Sequence, residues 1–356
     1  MLAEHARQRC TQSNRRARRT AGLGKARRIL VAIAAACACA LAAPQAAAFC
    51  RTTTCPFPPA FIPIGGECNP PDFEQLCALM DPPVKNLPVF WKNACISYDI
   101  NAAASRQVPY NKAVELFAIA FGKWTGTTCT TPQRGRVSID VKNLGPVACD
   151  QVQYNSDQGN QHVIIFYDSD WPYAEDTANT LGLTTITFDP DTGEIYDADM
   201  AIKSTPDIPL SISDPVPPDG YDLLSIITHE AGHFLGLAHS PDPNATMYAS
   251  YDAGSTNKRT LSSDDTGAIC SVYLPGGNRS VDPSVADGGL LPEGPCDPTP
   301  RHGWQSVCAE PMGCDVGWSS ARTGRGLAAL VAGVVAMAAA RARRRPRSGR
   351  SPGVAA

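Results

Sequence analysis

At 356 residues the chain is long for one domain, and its formal net charge of −3 hides two basic ends around an acidic body. Nine of the 31 lysines and arginines fall in residues 1–28 and eight from Arg322 onward, so the body keeps 14 of them against 33 of the 34 acidic residues, a balance near −19. That excludes a nucleic-acid binder, which needs a basic face to displace phosphate counterions, and fits a soluble extracellular protein.

In chain order, the Arg-rich residues 1–28, the apolar run Ile29 to Leu41 and the small residues Ala46-Ala47-Ala48 have the build of a secretory signal peptide over 1–48. The apolar run is short, Ala-dominated and followed by Pro44, which argues against a permanent membrane span. Eleven of the 14 cysteines lie beyond Ala48, so an exported chain should form disulfides and leave one thiol over. Residues 49–88, rich in Cys, Pro and Gly, read as a small disulfide-pinned lead-in. The alternation of Cys95 to Ile100 predicts a half-buried strand. Val114, Phe117, Ala118, Phe121 and Trp124 recur at helical spacing and predict an amphipathic helix from Tyr110 to Trp124. Arg136 to Val141 and Val163 to Phe166 read as further strands. Cys129 and Cys149 flank the first, and a bridge between them would contribute about 3 kcal/mol, although spacing does not fix the pairing. Thr180 to Phe188 and Gly193 to Ile202 predict a hairpin around Asp189-Pro190-Asp191-Thr192. Asp189, Asp191, Glu194, Asp197 and Asp199 could hold Ca2+, but a solvated turn with acidic flanks is the plainer reading.

After a Pro- and Asp-rich loop over 204–220, Tyr221 to Gly236 predicts a helix that buries Leu223, Leu224, Ile227, Phe234 and Leu235. It carries His229-Glu230-Ala231-Gly232-His233 and continues to Gly236 and His239. Histidines four apart on a helix have Cβ atoms about 5–6 Å apart, so both imidazoles reach one metal ion. Glu230, one residue after the first ligand, can address a zinc-activated water as general base. Gly236 can end the helix in a left-handed turn that brings in His239 as third ligand. Three protein ligands leave a fourth position open, as a catalytic zinc requires.

This pattern, H-E-x-x-H-x-x-G-x-x-H, resembles the metzincin metallopeptidases, and Ser240 after the third histidine resembles their matrixin branch. Other segments share the resemblance. Met247-Tyr248, eight residues beyond His239, is similar to the matrixin Met-turn, a hydrophobic floor below the zinc. Leu261-Ser262-Ser263-Asp264-Asp265 is similar to the closing helix, here predicted through Tyr273 with Ser262 or Ser263 as cap. A Trp91-led strand and a helix ending Ala-Phe-x-x-Trp resemble the family's opening. Cys68-Asn69-Pro70-Pro71-Asp72 only loosely resembles the matrixin cysteine switch, lacking its Pro-Arg and Gly, so a structural disulfide is the expectation for Cys68.

The resemblance implies an α+β fold: a twisted, mostly parallel sheet with one antiparallel edge strand, an active-site helix beneath it and a small C-terminal subdomain after Gly236. It also implies that Thr184, Thr185, Ile186 and Thr187 lie on the edge strand that pairs with an extended polypeptide substrate. The loop from Tyr248 to Lys258 shapes the specificity pocket, with Ala249 where many matrixins have Pro. Animal matrixins carry structural-zinc histidines around this hairpin, whereas here Thr185, Thr187 and Met200 occupy the region with only His162 nearby. One catalytic Zn2+ is therefore expected.

Residues 276–313 are Gly- and Pro-rich and read as a linker. Residues 314–356 place Cys314 ahead of a short apolar helix, Gly326 to Ala340, and the cluster Arg341, Arg343, Arg344, Arg345 and Arg347. They resemble the myxobacterial C-terminal sorting tag, which implies a bacterial chain that is exported and then retained at the cell surface after loss of its tail. A plain C-terminal anchor is the alternative, but about 15 apolar residues fall short of the ~20 that a span needs. With 89–275 as catalytic domain, the expectation is a secreted, monomeric zinc endopeptidase that touches a membrane only through its tag. The rival readings are a non-catalytic zinc-containing adhesion protein, for which an intact Glu230 has no use, and a zinc hydrolase of non-peptide bonds.

Overall fold

The computed structural model describes residues 49–55, 85–130, 133–173, 180–281, 289, 295–309 and the backbone of 336–339. The expected signal peptide, Cys68, Cys77 and Cys314 lie outside the described residues. Five strands build the sheet: β1 (Cys95–Asn101), β2 (Asp140–Val147), β3 (Val163–Tyr167), β4 (Thr180–Phe188) and β5 (Ile195–Lys203). Their order across the sheet is β4-β5-β3-β1-β2, and every neighbouring pair is parallel except β4 with β5. This is the expected α+β architecture. Two short strands, β6 (Ser250–Tyr251) and β7 (Ala336–Ala339), continue the sheet past β4. β7 runs antiparallel to β4 and parallel to β6.

Among the described residues three α-helices complete the body: α1 (Tyr110–Thr125), α2 (Leu223–Phe234) and α3 (Ser263–Val272). α1 buries Ala113, Leu116, Phe117, Ala120, Phe121 and Trp124, so the apolar stripe is rotated from the one expected, with Val114 half-buried and Ala118 exposed. The observed set keeps the i, i+3/i+4 recurrence of a packed face. Phe121 lies between Tyr98 of β1 and Phe234 of α2, at ring-centroid distances of 4.8 and 5.1 Å, and thereby joins helix, sheet and site helix in one core.

Several expectations are corrected. β1 is buried at all seven positions rather than half-buried. A strap of residues 295–309 lies against it, with Trp304 Nε1 donating to Asp99 Oδ1 at 3.1 Å; strands covered on both faces lose the alternation of a half-exposed sheet. The strand expected over Arg136 to Val141 begins at Asp140, where Cys95 of β1 sets the register, while Gly135–Arg136 instead pairs with Thr128–Cys129. The pairing that spacing left open is Cys95–Cys296, Cys129–Cys270 and Cys149–Cys308. Cys50 and Cys55 are disulfide-bonded as well. Residues 276–313 depart from a linker where they are described. Besides the two cystines, the buried Arg279 guanidinium donates to the carbonyls of Trp91 and Asn93 and to Ser138. Ala336–Ala339, expected in a short helix, is extended, and the open edge of β4 gives it a ladder partner. Among the described residues no helix is long and apolar enough to cross a membrane.

Candidate active site and metal centre

α2 begins at Asp222, whose carboxylate accepts from Ser225 N at 2.9 Å and caps the first turn. Arg259 grips the same carboxylate through Nε and Nη2, both at 2.8 Å, fixing the start of the helix against the loop that follows β6. The predicted ends, Tyr221 and Gly236, shorten to Leu223 and Phe234. At the far end Trp91 Nε1 donates to Phe234 O and Tyr273 Oη to Leu235 O, satisfying carbonyls that the helix leaves unpaired. Gly236 then takes φ +86°, and Leu237 N returns to Gly232 O at 3.0 Å. This is the left-handed termination expected of glycine.

That turn brings His239 to His229 and His233, with ring centroids 5.2 and 5.0 Å away. His229 and His233 lie one helical turn apart with their Nε2 atoms at 3.0 Å. Their Nδ1 atoms donate to Thr246 O and Leu237 O, both at 2.7 Å. Each Nδ1 faces a carbonyl and must carry the proton, which leaves Nε2 a bare lone pair. Burial opposes a second proton: it holds His233 down at about 4 and His229 and His239 well below the usual histidine value. His239 Nε2 has no protein partner. One ring nitrogen from each of the three histidines therefore lies within 4.8 Å of the others, and those of His229 and His233 are bare lone pairs. Such a set repels itself until a cation sits among it, and three nitrogens fit the ligand set of a catalytic zinc. Among the described residues it is the one such cluster of three or more His, Cys, Asp or Glu.

Glu230 is fully buried, and burial raises its carboxyl to about 8 against the pull of the Thr184 hydroxyl. Thr184 Oγ1 donates to Glu230 Oε2 at 2.7 Å, and Glu230 Oε1 is unpartnered. Gly182, two residues earlier on β4, leaves the room this carboxylate occupies. A Cβ there would stand 2.7 Å from Oε1 and 2.9 Å from Cδ.

Met247 packs under the helix, where a Cβ on Gly232 would collide with its Sδ. The turn that carries Met247 is tied down from below. Asp265 accepts from Thr246 N at 2.7 Å, Met247 N at 3.0 Å and Ser262 N at 2.7 Å, closing a capping box at the start of α3. Asp264 accepts from Ser240 Oγ at 2.7 Å, which fixes the residue next to His239. The buried Lys258 ammonium donates to the carbonyls of Ala245, Thr246 and Tyr248.

The structure thus gathers His229, His233, His239, Glu230, Met247 and Thr184 around one point. Tyr248 is half-buried, with Lys258 Nζ 5.5 Å from its ring centroid. Thr185, Ile186 and Thr187 pair with Asp199, Ala198 and Asp197 of β5. The open side of β4 is engaged earlier, at Thr180 and Leu183, by β7. Sequence reasoning missed Gly182, Lys258 and the side-chain role of Thr184. The run Gly182-Leu183-Thr184, with its alternate positions turned to one face, was the available signal for two of them.

Comparison with known proteins agrees with this geometry. A family model described as Matrixin matches residues 90–274, just over half of the chain. Human neutrophil collagenase is 40% identical over 79 residues, covering 22% of this chain and 16% of that protein. Human matrilysin is 46% identical over 61 residues, 17% of this chain and 22% of its own length. Matrix metalloproteinase-27 of Tupaia belangeri is 39% identical over 79 residues, 22% and 15%. The matched stretch thus spans less than a quarter of each of these relatives.

Proposed function

The chain belongs to the matrixin family, and on that premise we propose that it is a zinc-dependent endopeptidase acting on extended polypeptides. His229, His233 and His239 hold one Zn2+, and Glu230 is the general base. The observation that carries the reading is the convergence of three histidine nitrogens within 4.8 Å, beside a buried carboxylate with one free oxygen. Zn2+ bound there supplies Lewis acidity, polarising a carbonyl and lowering the pKa of water to about 7. Glu230 Oε1 accepts the proton of the attacking water as its oxygen adds to the scissile carbonyl carbon. The C–N bond then breaks, and Glu230 passes that proton to the leaving amine. Met247 and Tyr248 support the ligand set from below. β4, including Thr184, Thr185, Ile186 and Thr187, receives the substrate backbone, and the antiparallel seating of Ala336–Ala339 on this strand, with β6 on its other side, supports that role.

The cystines fit an oxidising compartment, so we place the protein outside the cytoplasm as a monomer. Residues 1–48 direct export, residues 49–88 lead into a catalytic domain over 89–275, and the described residues 276–281 and 295–309 strap it. The tag over 314–356, of the myxobacterial type, is its membrane contact, and Cys314 is its point of retention at the surface of a bacterial cell. Ca2+ at the hairpin remains part of this proposal through Asp189 and Asp191. The test is hydrolysis of an unstructured protein such as casein by the purified chain. Cleavage is expected to stop with a zinc chelator and return with zinc. Chelator-resistant cleavage, or a zinc-loaded chain that leaves casein intact, contradicts the reading, and the second result would favour a binding protein.

A further inference from the structure

β4 entered the account through its backbone, as the strand that a substrate joins. Its side chains turn to the opposite task. Gly182 and Thr184 stand on one face of the strand, and both meet Glu230. We propose that Thr184 is the positioning residue of the general base, a role that rests on Glu230 being that base.

Three observations carry it. First, Thr184 is fully buried, where a hydroxyl in place of a methyl is unfavourable unless it is hydrogen-bonded. Its partner is Glu230 Oε2 at 2.7 Å, with the Glu230 main-chain carbonyl 3.2 Å away. Second, the terminal torsion of a glutamate is broad, so a carboxylate without a donor rotates freely between two equivalent oxygens. Thr184 Oγ1 removes that equivalence: Oε2 is engaged and Oε1 is left without a protein partner. The structure therefore singles out Oε1 as the oxygen that takes the proton. Third, Gly182 lets the carboxylate lie against the strand, because a Cβ there would stand 2.8 Å from Glu230 Cγ as well as 2.7 Å from Oε1. Glycine two residues before threonine thus makes one seat for one carboxylate. An edge strand built this way couples the two partners of the reaction, since the element that aligns the peptide also aims the base.

The test uses the full chain carrying Thr184→Val, Thr184→Ser, Glu230→Ala and the Thr184→Val/Glu230→Ala pair. Valine keeps the shape and removes the hydroxyl. The expected result is a kcat on casein-derived peptide lowered on the order of tenfold with KM unchanged, the loss of one buried hydrogen bond, and recovery with serine. Zinc content stays at one per chain. Independently of activity, thermal melting of the zinc-free proteins forms a double-mutant cycle, and the shifts for Thr184→Val and Glu230→Ala are expected to be non-additive. Additive shifts, or a wild-type kcat for Thr184→Val beside an inactive Glu230→Ala, overturn the positioning role and leave the base in place. Full activity of Glu230→Ala overturns the base role, a result that the melting cycle separates from the hydrogen bond itself.

Discussion

Two clusters of titratable side chains among the described residues resolve the same physical problem in different ways. The first is His229, His233, His239 and Glu230. The second is Asp99, Asp197 and Asp199 on β1 and β5, each no more than 2% exposed. In the second cluster the fold supplies donors: Asp199 accepts from Val163 N at 2.8 Å and Gln153 N at 2.9 Å, and Asp99 from Trp304 Nε1. Burial still holds protons there, raising Asp99 to about 6 and Asp199 to about 8, with Asp197 raised well above the carboxylate range beside it. In the first cluster the Nδ1 atoms of His229 and His233 are spent on carbonyls, and their Nε2 lone pairs face one another at 3.0 Å. Burial holds protons on the carboxyls of both clusters, Glu230 included; the three histidine nitrogens call for a metal ion. What separates a structural polar core from a reactive one is therefore the direction of the unsatisfied atoms, not burial or charge.

That contrast can be broken by substitution. The largest effect is expected for His239→Ala, which removes one of three nitrogens. Zinc retention should fall by more than the roughly 10–100-fold that loss of an outer partner produces, as measured by chelator competition. Asp265→Ala comes next. It frees Thr246 N and Met247 N and loosens the carbonyl that orients His229, so zinc affinity should drop about 10–100-fold with the fold retained. Gly236→Ala forces a Cβ into φ +86° and to 3.0 Å from Val89 O. A loss of about 1–2 kcal/mol in stability is expected from denaturant unfolding.

The smallest effect belongs to the aspartates and is read by pH. Because the folded-state pKa of Asp199 is raised from 3.8 to about 8, its contribution to stability is full below pH 3.8 and is lost as pH rises toward 8 and beyond. Asp197→Asn removes the neighbouring acid and supplies an amide donor. The difference in melting temperature between variant and wild type should therefore grow in the variant's favour from pH 5 to pH 8. A pH-independent difference would mean that the pair carries no shared proton.

The elements that could be read in advance are those whose signal is local. His229 to His239, the hairpin of β4 and β5, the Ser262 cap with Asp265, and Met247 each occupy a few consecutive residues with a fixed period or offset. What escaped depends on residues distant in the chain. The cystines join partners 201, 141 and 159 residues apart, and neither spacing nor periodicity reports on such separations. Arg279 and Trp304 sit in Gly- and Pro-rich sequence, so composition suggested a linker where guanidinium and indole fasten the strap. Asp197-Ala198-Asp199 follows an acidic turn and looked solvated, because alternation cannot distinguish a strand with an open face from one whose outer face is covered. Thr184 was visible as a strand residue, but its partner is 46 residues away.

The measurement that bears most directly on the central claim is a paired one on the full chain: metal content by mass spectrometry and casein cleavage, for wild type and Glu230→Ala. The account predicts one zinc per chain in both, with cleavage by the variant lowered about 10²–10⁴-fold, the usual share of general-base catalysis. Wild-type cleavage by Glu230→Ala, or a wild-type chain that holds zinc and cuts nothing, would contradict it.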